Sequence, residues 1–160
     1  MFHAVLAGDS LEHCTASEIL ACFWGSNILD QLQSRFKNVK DVHLSWHGGT
    51  KKWAMISLSG KGSAGEAREI DNEVFNCATG RYSMLPVSSF LRTAIVVDED
   101  VDIYDPKDVI WAVGTRLNDT VVLNEDKPKG YELRIGLDAS RHFGADPEKY
   151  KRTRTMAVRS

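Results

Sequence analysis

The chain has 160 residues, 22 acidic against 20 basic side chains, a formal net charge of -2 and 42% hydrophobic residues. That length and apolar share suit one domain with a single buried core and exclude a disordered chain, while the balanced charge removes any general electrostatic motive for a nucleic-acid or membrane-surface partner. Cys14, Cys22 and Cys77 form no CxxC pair, no apolar run reaches membrane-span length and the start lacks signal-peptide character, so the expectation is a cytoplasmic protein with reduced thiols.

Phe2 to Ala7 is a short apolar run closed by Gly8-Asp9-Ser10, the pattern of a strand entering a loop. From Ser17, a candidate N-cap, Ile19, Leu20, Phe23, Trp24, Ile28, Leu32 and Phe36 recur at helical spacing. Val39 to Trp46 alternates in strand fashion, His47 to Thr50 makes a turn, and Lys52 to Gly60 is a second strand, either a hairpin partner or a sheet neighbour of the first. Ala64, Ala67, Ile70, Val74, Cys77 and Ala78 then return to helical spacing, and the Gly- and Ser-rich stretch Gly80 to Ser89 is expected to be loop.

Thr93 to Asp100 opens with a continuous apolar run, as in a strand buried on both faces, and ends in acidic residues. Asp105 stands as an N-cap before Pro106 at the first helical position, with Val109, Ile110 and Val113 as an apolar stripe. Thr120 to Asn124 is a further strand. Glu132 to Ala139 is either one more strand or a segment lying over the sheet. Strands alternating with helices predict an α/β domain with helices packed on a mixed sheet in three layers, over residues 1–145. Residues 146–160 form a basic tail, with Lys149, Lys151, Arg152, Arg154 and Arg159, which a partner would order.

The segment TAIVVDEDVDIYDPKDVIWAVGTR, Thr93 to Arg116, resembles the C-terminal domain of the UbiD-like, prenylated-FMN-dependent decarboxylases, where an apolar strand ends in a VVDDDVD-like turn before a helix of the form DVIWALATR. Phe2 to His13, Asn38 to Leu44 and Arg134 to Ser140 are similar to further segments of that domain in the same order. The stretch between Arg116 and Gly136 is shorter than in many relatives. The resemblance implies that the flavin, its metal ions and the acid-base residues belong to a preceding barrel domain, so no catalytic or cofactor-binding residue is expected in this chain. It implies a small subunit of a multi-chain decarboxylase or carboxylase acting on an aromatic or α,β-unsaturated acid, in an oligomer with a larger flavin-binding partner. Alternatives are a non-catalytic assembly or regulatory protein, and a free-standing enzyme using a metal at Asp98 to Asp105.

Asp98, Glu99, Asp100 and Asp102 are the metal candidates, because carboxylates at the C-terminal end of a buried strand lie where open α/β sheets place ligands. Helix capping and turn hydrogen bonds, with Arg116 as ion partner, is the preferred account of the same residues. Glu12 and His13, adjacent on a loop, and Arg116 are the interface or cleft candidates. The glycines of His47 to Thr50 and Gly60 to Glu66 suit anion-binding turns but complete no phosphate-loop motif. Trp24, Trp46, Trp53 and Trp111 fall within helix or strand patterns and are assigned to packing. An isolated domain of this kind is expected to expose an apolar patch near Phe2, Leu11 and the first helix.

Overall fold

The computed structural model describes residues 24–45, 53–60, 63, 65–76, 91–127 and 130–141. The expected strand at Phe2 to Ala7, the Ser17 cap, Glu12 and His13, the three cysteines, Trp46, the His47 to Thr50 turn, the Gly80 to Ser89 loop and the basic tail lie outside these residues.

Helix α1, described over residues 24–35, sends Ile28 and Leu32 into the core, as their four-residue spacing requires. Strand β1, Val39–Ser45, pairs antiparallel with β2, Trp53–Leu58, so the two form a hairpin. Their register shifts between Val39 and Asp41, which inserts Lys40 as a bulge. The extra residue puts odd-numbered Val39 on the same face as Val42 and Leu44, opposite Leu58, Ile56 and Ala54 in turn. Helix α2, Glu66–Asn76, follows a glycine, Gly65, whose φ of 81° disfavours any side chain. Strand β3, Thr93–Asp98, is buried along four consecutive residues, consistent with its unbroken apolar sequence. Helix α3, Pro106–Arg116, leads into β4, Asp119–Lys127, and β5, Gly130–Asp138.

The five strands among the described residues form one sheet in the order β1-β2-β3-β5-β4. β2, β3 and β5 run parallel at the centre, while β1 and β4 pair antiparallel at the edges. Glu132 to Ala139, left open between strand and overlying segment, is thus a strand within the sheet up to Asp138. Even-numbered Ala54, Ile56, Ala94 and Val96 pack with α1 and α2 in one cluster. Odd-numbered Met55, Ile95 and Val97 pack with Val109 and Ala112 of α3 in the other. The three-layer mixed α/β architecture follows from this split, since a central sheet apolar on both faces must be covered twice. Each fully buried Ile, Leu or Val contributes about 1.5–3 kcal/mol. No helix among the described residues is long and apolar enough to cross a membrane.

Candidate functional site

β2, β3 and β5 are parallel and end on the same side of the sheet, and the acidic segment Asp98 to Asp105 begins there. Asp98 closes β3 and Asp100 follows in the turn, whereas Arg116 arrives from the last residue of α3. Two Arg116 nitrogens donate to Asp100, Nη1 to Oδ1 at 2.9 Å and Nη2 to Oδ2 at 2.7 Å, a bidentate pair. Its Nη1 also lies 3.6 Å from Asp98 Oδ2, and the guanidinium sits 4.9 Å from the centroid of the Trp111 ring. A second guanidinium comes from Arg141, just beyond β5: its Nη2 is 2.9 Å from Asp100 Oδ2, and its backbone N–H donates to Asp98 Oδ2 at 2.7 Å. Two acids and two arginines therefore close one network across β3, α3 and the end of β5.

The electrostatics split the two acids. Burial pushes the Asp100 carboxyl up, but the hydrogen bonds from Arg116 and Arg141, reinforced by their charges, outweigh it and hold the group at about 2. For Asp98 burial wins over the Arg141 hydrogen bond and the nearby charges, and the carboxyl lies above its ordinary range. Arg116 is raised by its hydrogen bond to Asp100 against the opposing effect of burial.

The neighbouring carboxylates are committed to backbone. Asp105 caps α3 by accepting from the Lys107 N–H at 2.9 Å. Asp102 accepts from the Tyr104 N–H at 2.9 Å, and Asp108 accepts from the Asp102 N–H at 2.9 Å. Glu99 is exposed and lies 4.0 Å from Lys40. Among the described residues no three His, Cys, Asp or Glu side chains are grouped to hold a metal ion. At the glycine-bearing turn before α2, the Glu66 carboxylate accepts from the Ser63 N–H at 2.8 Å, the reciprocal half of a capping box. At the described parts of both helix starts, a carboxylate of the chain itself thus accepts from one backbone N–H.

The structure brings together Asp98, Asp100 and Arg116, but Arg116 is buried within the chain, its side chain 3% exposed, so its guanidinium faces inward. Glu12 and His13 lie outside the described residues. Trp24 packs against the core cluster beside α1, and Trp53 and Trp111 pack against the opposite cluster. Trp24 is thus half-buried on the core side of α1, while Phe2, Leu11 and the residues of the expected helix before Trp24 lie outside the described residues. Tyr104, Ile110, Leu117 and Leu133 are the exposed large apolar side chains among the described residues.

Arg141 and Asp71 escaped sequence reasoning. Arg141 stands at the start of a polar, aperiodic stretch, where nothing in the pattern marks it as a partner for residues 43 positions earlier. Asp71 did carry a signal: buried Ala67, Ile70, Val74 and Phe75 follow the i, i+3, i+7, i+8 pattern, in which i+4 is Asp71.

Comparison with known proteins follows the same lines. The family described as 3-octaprenyl-4-hydroxybenzoate carboxy-lyase C-terminal domain matches residues 19–124. The chain is similar to the UbiD-class enzyme HmfF from Pelotomaculum thermopropionicum in complex with FMN, with a TM-score of 0.67 and 25% identity over 84% of this chain and 30% of that one. An evolved dimeric form of HmfF in complex with prFMN matches with a TM-score of 0.60 and 28% identity over 76% of this chain and 25% of that one. The apo 3,4-dihydroxybenzoic acid decarboxylase from Enterobacter cloacae shares the fold, with a TM-score of 0.64 and 19% identity over 84% of this chain and 30% of that one. So does vanillic acid decarboxylase (ShVdcCD) from Sedimentibacter hydroxybenzoicus in its open form, with a TM-score of 0.55 and 20% identity over 83% and 29%. The chain spans less than a third of the length of each of these enzymes.

Proposed function

The chain belongs to the 3-octaprenyl-4-hydroxybenzoate carboxy-lyase C-terminal domain family, and from that premise we propose that it is the small subunit of a UbiD-like decarboxylase or carboxylase. A larger partner chain carries the prenylated FMN, its metal ions and the acid-base residues. The substrate class is an aromatic or α,β-unsaturated carboxylic acid. The observation that carries this reading is the closed network among the described residues: Asp98 and Asp100 pair with Arg116 and Arg141, and Asp102, Asp105 and Asp108 accept hydrogen bonds from backbone N–H groups. A general acid or base must be within reach of substrate and able to change its proton. These carboxylates are instead spent on holding the sheet end together. The domain's contribution is then to complete the cleft or the oligomer, acting by enclosure and water exclusion.

HmfF, bound to FMN in one structure and to prFMN in another, supports the assignment of the flavin to the assembled enzyme. The two-letter designation of ShVdcCD, with a ShVdcD that has been truncated in a further structure, supports a division between chains. The test is co-expression of the chain with a larger UbiD-like protein from the same genome. A stable complex with prenylated-flavin absorbance, active on a carboxylic acid only when both chains are present, is the expected outcome. A flavin-free homo-oligomer that no such chain joins would sink the subunit reading and leave the assembly or regulatory alternative. A rise in melting temperature with Mg²⁺ or Mn²⁺, lost in Asp100→Asn, would instead support a metal site at Asp98 to Asp105.

A further inference from the structure

Asp71 lies in the middle of α2, on the face that covers β3, β5 and β4. It is fully buried, and neither of its carboxylate oxygens has a hydrogen-bond partner. The side chain rests directly on Gly136 of β5: a Cβ at that glycine would stand 2.7 Å from Asp71 Cβ, Cγ and Oδ2. No other residue type leaves room for the carboxyl at that position. The charged network at the strand ends makes no use of this group.

We propose that the contact of α2 with β5 is a proton-linked latch, closed by Asp71 as a neutral carboxylic acid and loosened when that acid loses its proton. Each element packed against the group favours the neutral form or leaves it alone. From β5, Asp138 faces it as a like charge, and from β4, Asp119 does the same. From β3, Ala94 and Val96 offer only apolar surface on that side. Of the cations on these elements, Arg68 of α2 holds Asp119 at 3.1 Å, and Arg134 of β5 donates from Nη1 to the Phe75 carbonyl at 3.2 Å while its buried Nε makes no hydrogen bond, to Asp71 or to any other group. A carboxylate here would be desolvated, without a donor, and beside two acids.

Burial first, then the charges of Asp138 and Asp119, raise the Asp71 carboxyl from 3.8 to about 8. The folded state therefore holds a proton that the unfolded chain releases near pH 4. Stability contributed by this group is complete below that point and falls as pH rises, until the folded form also ionises near 8. The latch is tight in acid and slack in mild alkali. Since α2 is the helix that covers β4 and β5, its loosening uncovers one face of the hairpin that leads into Arg141, which the β3–β5 ladder still holds.

Two measurements on the full chain test this. In protein labelled with ¹³C at aspartate carboxyls, one resonance should titrate near 8 and disappear in Asp71→Asn. Amide exchange in α2 and β5, divided by the intrinsic rate at each pH, should give an opening constant that rises by up to roughly tenfold per pH unit between 5 and 8 and then flattens. In Asp71→Asn that rise should vanish. An Asp71 carboxyl that titrates with the ordinary aspartates, or an equal pH slope in wild type and variant, overturns the proposal. Should the variant fail to fold, the wild-type titration decides alone. Failure of the latch leaves the subunit assignment untouched, because neither measurement involves a partner or flavin.

Discussion

Arg116 binds Asp100 through two nitrogens, approaches Asp98 and lies over Trp111, while only 3% of its side chain meets solvent. Removing it leaves Asp100 and Asp98 to Arg141 alone at a half-closed strand end, so Arg116→Ala should cost about 1.5–3 kcal/mol in urea unfolding, the value of a hydrogen bond to a charged group. Arg141 is more exposed, and solvent screening limits its share: Arg141→Ala should cost about 1 kcal/mol. Asp100 sets an acid limit. Its folded carboxyl, at about 2, lies below the unfolded value of 3.8, so its contribution is present above pH 4 and lost as pH falls toward 2. Asp100→Asn should flatten the acid limb of the stability profile, and an unchanged limb would show that other carboxylates govern it.

Among elements, α3 is the one whose sequence and structure agree most closely. Asp105 caps it, Pro106 opens it with its missing N–H where no bond is needed, and Arg116 ends it. Asp105→Ala should cost about 1 kcal/mol, seen as a lower urea midpoint with unchanged slope. The α2–β5 contact is tighter and less forgiving. A methyl added by Gly136→Ala meets Asp71 at 2.7 Å, which predicts a loss of about 1–3 kcal/mol through overpacking. Because the clash is with that one side chain, Asp71→Ala in the same chain should recover much of the loss, and a double-mutant cycle measures the coupling. Additive losses would place the strain elsewhere.

At the scale of the whole molecule, a half-buried acid and a buried one pull the pH dependence in opposite senses. Asp100 stabilises the fold as pH rises through the range from 2 to 4, while Asp71, together with the raised Asp98, favours lower pH above that range. The isolated chain should therefore be most stable in mild acid, and a urea-midpoint profile from pH 3 to 9 checks this. A maximum near pH 8 would contradict it. The described sheet also has two ends of different character: a hairpin, β1–β2, whose Val42, Leu44 and Ala54 share a core cluster with Ile28 and Leu32 of α1, and a hairpin, β4–β5, tied to the centre through four β3–β5 pairs and α2.

Local sequence determined each element that has a strong period or terminator. The β3 run Thr93 to Asp98, the Asp105-Pro106 start of α3 and the helical spacing of Ala67, Ile70 and Val74 all act within a few residues, so they are legible without a fold. The family resemblance rested on the same ordered segments. Tertiary structure decided what depends on distance across the sheet. The parallel pairing of β3 with β5 is what carries Arg141 to Asp98 and Asp100, 43 and 41 residues away in sequence. The Lys40 bulge, invisible to strict alternation, set which face Val39 serves. The docking of α2 on a glycine in a strand more than 60 residues later turned Asp71 from a polar residue in an amphipathic pattern into a sealed acid. Charge and packing act through space, and sequence spacing encodes only the part of that space that lies along one helix or one strand.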